Sequence, residues 1–284
     1  MNIAETLSLG TRTLSPHSDS PRLDAEILLG KVLGLSRAAL IAHDGDTLAD
    51  DSERAYAELI AKRTAGMPVA YLTGTREFWS LSLNVSPGVL VPRPETEVLV
   101  EQALRLKSPN DPCSVLDLGT GSGAIALAIA SERPHWMVTG VDISPVALNV
   151  ARQNARALDI CNVDWALGSW FERVPGRRFD LIVSNPPYVA GADPALAALA
   201  AEPALALTPG PTGLEALAAI ISQALAHLSE HGWLLLEHGA EQARQVVSLL
   251  ERQGMSSVRT VPDFAGKPRV TLATTHHTQR KEFS

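Results

Sequence analysis

From about residue 111 the chain alternates short apolar runs with longer stretches of helical periodicity. Residues 115–118 read as a strand and 124–130 as the start of a helix. Residues 137–141 give a second strand and 145–158 a second helix. A further strand falls at 179–183, then a helix at 213–229, a strand at 233–236 and a helix at 240–252. Two strands, 258–261 and 269–272, close the pattern around Pro262-Asp263-Phe264-Ala265-Gly266. Strands that alternate with helices predict an α/β architecture, a mostly parallel sheet covered on both faces. The closing pair predicts an antiparallel edge on that sheet.

The first ~75 residues read differently, as short helices. In residues 21–29 the spacing puts Leu23, Ile27 and Leu28 on one face, with acids in the first turn. A second helix is predicted over 52–64, capped by Asp51 or Ser52 and ended by Gly66 and Pro68. A small helical bundle is the expectation. The period then switches to two: Trp79, Leu81, Leu83 and Val85 alternate with Ser80, Ser82 and Asn84. Ser86-Pro87-Gly88 reads as the turn of a hairpin and 89–91 as its return strand. Pro94 suits the first turn of a helix, with Glu95 and Glu97 near its positive end. The expected division is a helical bundle over 1–75, a hairpin linker over 76–92, a catalytic domain over 93–276 and a flexible tail over 277–284.

Charge and composition narrow the function. The formal net charge is −7 over 284 residues, which weighs against a polyanionic partner. Cys113 and Cys161 lie far apart in no metal-like spacing and read as reduced thiols. The start of the chain lacks a basic segment followed by an apolar run, and no apolar stretch approaches the ~20 residues that span a bilayer. A soluble, cytoplasmic protein without membrane contact is expected. His276 and His277 read as a solvated end, and no metal is expected.

Asp117-Leu118-Gly119-Thr120-Gly121-Ser122-Gly123 joins a predicted strand to a predicted helix. Glycines there let backbone approach a ligand closely, and the helix start offers free N–H groups suited to a carboxylate. The third glycine comes one residue earlier than in the dinucleotide fingerprint. About twenty residues on, Asp142 ends the next strand, where an acid can accept hydrogen bonds from ribose hydroxyls. Together these point to an adenosyl ligand. Asp117 either orients the cofactor's amino-acid end or only bonds the loop backbone.

Ser184-Asn185-Pro186-Pro187-Tyr188 follows the strand at 179–183, at the edge where parallel sheets bind ligands. Read alone it is a turn. Read after the glycine loop and Asp142, its chemistry fits methyl acceptance by a planar –NH2 group. The lone pair of such a nitrogen is delocalised, so it must pyramidalise to react. Acceptors aimed at its N–H groups favour that change. Asn185 offers a side-chain oxygen. Pro186 offers a carbonyl without a competing N–H. Pro187 adds rigidity, and Tyr188 can stack on the planar group.

With these elements the chain resembles the class I S-adenosylmethionine-dependent methyltransferases, and in particular the peptide chain release factor glutamine methyltransferases, the PrmC/HemK family. The resemblance spans Arg22-Leu23-Asp24-Ala25-Glu26-Ile27-Leu28-Leu29, Pro68-Val69-Ala70-Tyr71-Leu72-Thr73-Gly74 and Arg76-Glu77-Phe78-Trp79. It continues through Val91-Pro92-Arg93-Pro94-Glu95-Thr96-Glu97, Asn185-Pro186-Pro187-Tyr188, Glu237-His238-Gly239 and Arg269-Val270-Thr271-Leu272. It implies a Rossmann-like, seven-stranded sheet. It implies S-adenosyl-L-methionine as cofactor and S-adenosyl-L-homocysteine as product. The cofactor would be held by Gly119, Thr120, Gly121, Ser122, Gly123, Asp142, Trp170 and Asn185, with Trp170 beside the adenine. Asn185, Pro186, Pro187 and Tyr188 would hold the substrate, and Asn185, Pro186 and Tyr188 would carry the chemistry. The implied substrate is the glutamine of a Gly-Gly-Gln loop in class 1 release factors, docked partly by the helical front end, with a monomeric enzyme and no direct nucleic-acid contact. Residues 191–207 are richer in alanine than the family pattern, though Glu202 and Pro203 match it. Two other enzymes remain open at this point: an adenine-amino methyltransferase on DNA or RNA, and a glutamine methyltransferase on a ribosomal protein. A non-enzymatic adenosyl-binding module would not need the Asn-Pro-Pro-Tyr corner.

Overall fold

The computed structural model describes residues 1–275. The tail expected over 277–284 and the paired histidines lie outside them. The chain divides into two compact units: Met1–Thr75 with Ala197–Ala201, and Arg76–Leu196 with the chain from Glu202 onward.

The first unit holds α1 (Ile3–Leu14), α2 (Pro21–Leu33), α3 (Arg37–Ala42), α4 (Asp50–Thr64) and α5 (Val69–Thr73). Asn2 and Glu5 form a reciprocal capping box at the start of α1. Pro21 opens α2, and Gly34 ends it in the left-handed conformation. The helices pack around Ile3, Leu7, Leu14, Ala25, Leu28, Leu29, Leu40, Tyr56 and Ile60. Two sequence expectations need correcting. The buried face of α2 is Ala25, Leu28 and Leu29, whereas Leu23 is exposed. Asp24 and Glu26 are buried instead, because Arg63 pairs with the first and Arg22 and Arg37 with the second. Burial alone would raise the Glu26 carboxyl, yet the two guanidiniums hold it below its ordinary range. The start of α4 is also different. Its N-cap is Ala49 with no side-chain cap, and Asp50, Asp51 and Glu53 in the first turn favour the positive helix end.

The second unit opens with a hairpin of β1 (Thr75–Phe78) and β2 (Leu81–Asn84). Its turn is Trp79-Ser80, with φ of 53° and 60°, not Ser86-Pro87-Gly88. Bulky residues seldom adopt that conformation, so turn chemistry pointed downstream. Here Trp79 is pinned, its backbone N–H by Glu97 at 2.9 Å and its indole N–H by Glu132 at 2.9 Å. Residues 89–91 consequently form no strand.

A 3₁₀ turn (Pro94–Thr96) leads into α6 (Glu97–Arg105). There follow β3 (Ser114–Leu118), α7 (Ala124–Glu132), β4 (Met137–Asp142), α8 (Pro145–Ala157), β5 (Val163–Leu167) and β6 (Phe179–Ser184). Two short helices, α9 (Ala195–Ala198) and α10 (Ala204–Leu207), precede α11 (Glu215–His227), β7 (Leu228–Glu237), α12 (Ala243–Arg252), β8 (Ser256–Pro262) and β9 (Pro268–Thr274). The sheet order is β5-β4-β3-β6-β7-β9-β8, with β9 antiparallel to both neighbours and the other pairs parallel.

Both faces are covered, as alternate residues of the central strands show. Val115, Leu181 and Val183 pack with α6 and α7 on one face. Leu116, Leu118 and Ile182 pack with α11 and α12 on the other. From β3 the chain runs outward through β4 to the edge strand β5, then returns to place β6 on the other side of β3. This switch opens a crevice beyond the carboxyl ends of β3 and β6. Of the seven strands of this sheet, β5 alone had no counterpart in the sequence pattern. It is an edge strand with no buried residue, and Asp164 interrupts its short apolar stretch.

Candidate active site

After β3 the chain turns through three left-handed glycines, Gly119, Gly121 and Gly123, with φ of 72°, 57° and 83°. The turn is stitched to the end of β4. Gly119 and Thr120 donate their N–H groups to the Val141 carbonyl at 2.8 and 3.0 Å. Gly121 donates to Asp142 Oδ2 at 2.8 Å. Asp142 Oδ1 accepts from Ser144 N at 2.8 Å, and Ser144 Oγ caps α8 by accepting from Ala147 N at 3.2 Å. One carboxylate therefore joins the glycine loop to the start of α8.

Gly123 is the N-cap of α7 and has no side chain to bond its first turn, where the Ala126 N–H faces Asp117. A Cβ on Gly123 would lie 3.0 Å from Trp165, 3.1 Å from Leu127 and 3.2 Å from Ala151. Gly123→Ala combines that crowding with a strained φ and is expected to lower stability by about 1–3 kcal/mol. An unchanged midpoint in urea denaturation would contradict this.

The crevice is a cleft of about 430 Å³, within the size range of small-molecule sites. Of the residues expected from sequence, Gly119, Gly121, Asp142, Trp170, Asn185 and Pro187 line it. Thr120, Ser122, Gly123, Pro186 and Tyr188 do not. They support the lining residues from behind or beside. A Cβ on Gly121 would meet nothing within 4 Å, so the loop presents bare backbone to open space. The Trp170 ring packs against Gly119, its Cζ3 3.6 Å from where a Cβ would stand. Asp142 has spare acceptor capacity beyond its two backbone bonds. Bare backbone, an acidic acceptor and an apolar wall with Val141 and Ala147 fit an adenosyl group.

Burial raises the Asp142 carboxyl, against the N–H groups of Ser144, Gly121 and Ile143. It pushes Asp117, which is fully buried, up to about 7, although the Thr120 hydroxyl donates to it at 2.6 Å. In the folded chain Asp117 thus binds a proton more tightly than in the unfolded chain. That contribution to stability is fully present below pH ~4 and is lost as pH rises towards 7. Asp117→Asn should flatten the decline, by on the order of a few kcal/mol between those limits. Urea titrations at both ends that keep the same slope would contradict this.

The second half of the site follows β6. Ser184 Oγ donates to the Leu118 carbonyl at 2.7 Å, which ties the end of β6 to the end of β3. Asn185 Nδ2 donates to Thr96 Oγ1 at 3.1 Å. The Tyr188 hydroxyl donates to Glu237 Oε1 at 3.3 Å, and the Tyr188 carbonyl accepts from Gln242 Nε2 at 3.0 Å. Burial pushes Glu237 up to about 7, opposed by the Thr96 hydroxyl, the Arg269 charge and Tyr188. Burial also raises the Tyr188 phenol, so it stays a donor.

Several lining residues had no functional reading in the sequence. Gly88, Val89 and Leu90 line the cleft where a return strand was expected. Val91 N, just beyond them, donates to Glu202 Oε2 at 3.0 Å, and Arg93 pairs with the same carboxylate. Pro203, Leu205 and Thr208 add a wall from the alanine-rich stretch. Of these, only Val91, Arg93, Glu202 and Pro203 carried a sequence signal, as residues matching the PrmC/HemK pattern.

Solved structures share this sheet. A methyltransferase from Pyrococcus furiosus aligns with a TM-score of 0.53 at 20% identity, over 69% of this chain and 90% of that one. A T. thermophilus 16S rRNA methyltransferase, solved with AdoMet and guanosine, aligns with a TM-score of 0.55 at 21% identity, over 71% and 50%. The fold is that of the class I S-adenosylmethionine-dependent methyltransferases. The family model "PrmC N-terminal domain" matches residues 5–74, and "Methyltransferase small domain" matches 95–258. A Yersinia pestis release factor glutamine methyltransferase is 50% identical over 96% of this chain and 98% of its own length. That of Coxiella burnetii is 42% identical over 96% and 99%. The Escherichia coli K12 enzyme is 45% identical over 90% and 92%. The chain belongs to the release factor glutamine methyltransferase family.

Among the described residues no helix is long and apolar enough to cross a membrane. None of their His, Cys, Asp and Glu side chains forms a group able to hold a metal ion.

Proposed function

We propose that this enzyme methylates the side-chain amide nitrogen of the glutamine in the Gly-Gly-Gln loop of class 1 release factors. The observation that carries the reading is that Asn185 and Pro187 line the same cleft as Gly121 and Asp142. A planar amide held at the first pair faces whatever is held at the second. S-adenosyl-L-methionine supplies an electrophilic methyl group on its sulfonium when bound. Gly119, Gly121 and Asp142 hold the cofactor, with Trp170 against its base. Asn185 Oδ1 accepts one amide N–H and the Pro186 carbonyl the other, which favours the pyramidal nitrogen and the positive charge that develops there. Pro187 limits the motion of these acceptors, and Tyr188 presses on the flat face of the amide. In-line placement and exclusion of water supply the remaining acceleration. The proton leaves after methyl transfer, so no strong base is needed.

We assign docking of the release factor to residues 1–75, linkage to 76–92 and catalysis to 93–276, in a cytoplasmic monomer. The net charge of −7 favours a protein substrate over a nucleic acid. The test is mass spectrometry after incubation of enzyme and cofactor with a release factor, with the same factor carrying Asn for the loop glutamine, and with single-stranded DNA and RNA. Methyl on the glutamine of the first alone is expected. Methyl on adenine, or on the Asn-bearing factor at equal yield, overturns the reading.

A further inference from the structure

The two halves of the cleft stand on different elements, Asp142 at the end of β4 and Asn185 just after β6. Residues 88–96 touch both. At the start of this run Gly88 packs on the first turn of α8, where a Cβ would lie 3.0 Å from Val146. Ser144 caps that turn, and its own N–H is held by Asp142. At the end of the run Thr96 Oγ1 accepts the Asn185 amide N–H at 3.1 Å. In between, Gly88, Val89 and Leu90 form one wall of the cleft. Residues 88–93 lie outside any strand or helix, so no sheet or helix hydrogen bonds fix them.

Glu202 grips the middle of this run. Its side chain is 3% exposed. Oε2 accepts the buried Val91 N–H at 3.0 Å, and Oε1 pairs with Arg93. None of the three residues lines the cleft, but Pro203, next to Glu202, begins a second wall with Leu205 and Thr208. That wall is tied to the chain leaving Tyr188: Val189 N donates to the Leu207 carbonyl and Gly191 N to the Gly210 carbonyl, both at 2.9 Å. One buried carboxylate therefore joins the two walls. We propose that Glu202 is a positioning residue: by holding Val91 and Arg93 it fixes residues 88–96, and with them the separation between a methyl donor held at Gly121 and Asp142 and an amide held at Asn185. Without the carboxylate Arg93 can turn to water, whereas the buried Val91 N–H loses its acceptor and the run must shift.

The inference rests on the methyl-transfer reading above, and its test separates the two. Glu202→Ala, Glu202→Gln, Arg93→Ala and the Glu202→Ala, Arg93→Ala double variant are compared with wild type. Single-turnover methyl transfer to a release factor is measured at saturating cofactor and substrate, at a temperature where circular dichroism shows each variant folded. Affinity for S-adenosyl-L-homocysteine is measured by calorimetry. Glu202→Ala should slow transfer by roughly 10- to 100-fold, since a misplacement of about 1 Å can cost about 100-fold. Affinity should fall by a smaller factor than the rate. Arg93→Ala should be slowed less, because the Val91 bond remains. The double variant should be no slower than Glu202→Ala, as expected of residues that act as one unit. A side chain that only stabilised the fold would lower the urea midpoint and leave the rate at saturation unchanged. Wild-type rate in Glu202→Ala therefore overturns the inference, as does a double variant slowed by the product of the single losses. If Glu202→Ala does not fold, Glu202→Gln and Arg93→Ala decide: both should be slowed, and wild-type rate in either overturns the inference. A wild type that leaves the release factor unmethylated overturns the parent reading and this inference together.

Discussion

Asn185→Ala is expected to lower kcat by roughly 100- to 1,000-fold, the cost of removing one preorganised partner of developing charge. Cofactor affinity should fall far less. The split follows from position. Asn185 lines the cleft, while its own amide is bound to Thr96 and makes no bond to the glycine loop or to Asp142. Deleting it leaves the loop's bonds to Val141 and Asp142 in place. Single-turnover methyl transfer and calorimetry separate the two effects. Retained turnover would remove Asn185 from the chemistry. A parallel loss of affinity and turnover would make it a cofactor ligand only.

Asp142→Ala should show the opposite split, weakening the cofactor by about 1–3 kcal/mol, or about 5- to 150-fold in Kd. Two losses add. The carboxylate facing the cleft is gone, and so are the bonds to Gly121 N and Ser144 N at 2.8 Å each. Asp142→Asn keeps an acceptor on one atom and should fall between. At saturating cofactor, turnover of both variants should recover substantially. If calorimetry gives the wild-type affinity for Asp142→Ala, the ribose role is wrong.

What the chain disclosed in advance follows from where its signals come from. Buried parallel strands such as residues 179–183 announce themselves as apolar runs, because both faces are covered. The edge strand β5 has no buried residue, and Asp164 breaks its run. The cleft's glycines, Asp142 and Asn185 were legible because each is demanded by local chemistry at a strand end. The wall formed by Val89, Leu90, Pro203 and Leu205 was not, since ordinary apolar residues acquire that role only when distant segments meet. Trp79 misled because tertiary bonds to Glu97 and Glu132 stabilise a backbone that its side chain disfavours. The α2 face misled because arginines from outside the helix, Arg37 and Arg63, turn acids into core residues.

The central claim is geometric, and a crystal structure of the enzyme with S-adenosyl-L-homocysteine and a Gly-Gly-Gln peptide tests it most directly. The account predicts the cofactor against Gly121 with its ribose on Asp142, and the glutamine nitrogen within hydrogen-bonding distance of Asn185 Oδ1. A cofactor seated elsewhere, or a glutamine whose nitrogen meets Asn185 Nδ2 or no part of the corner, would contradict it.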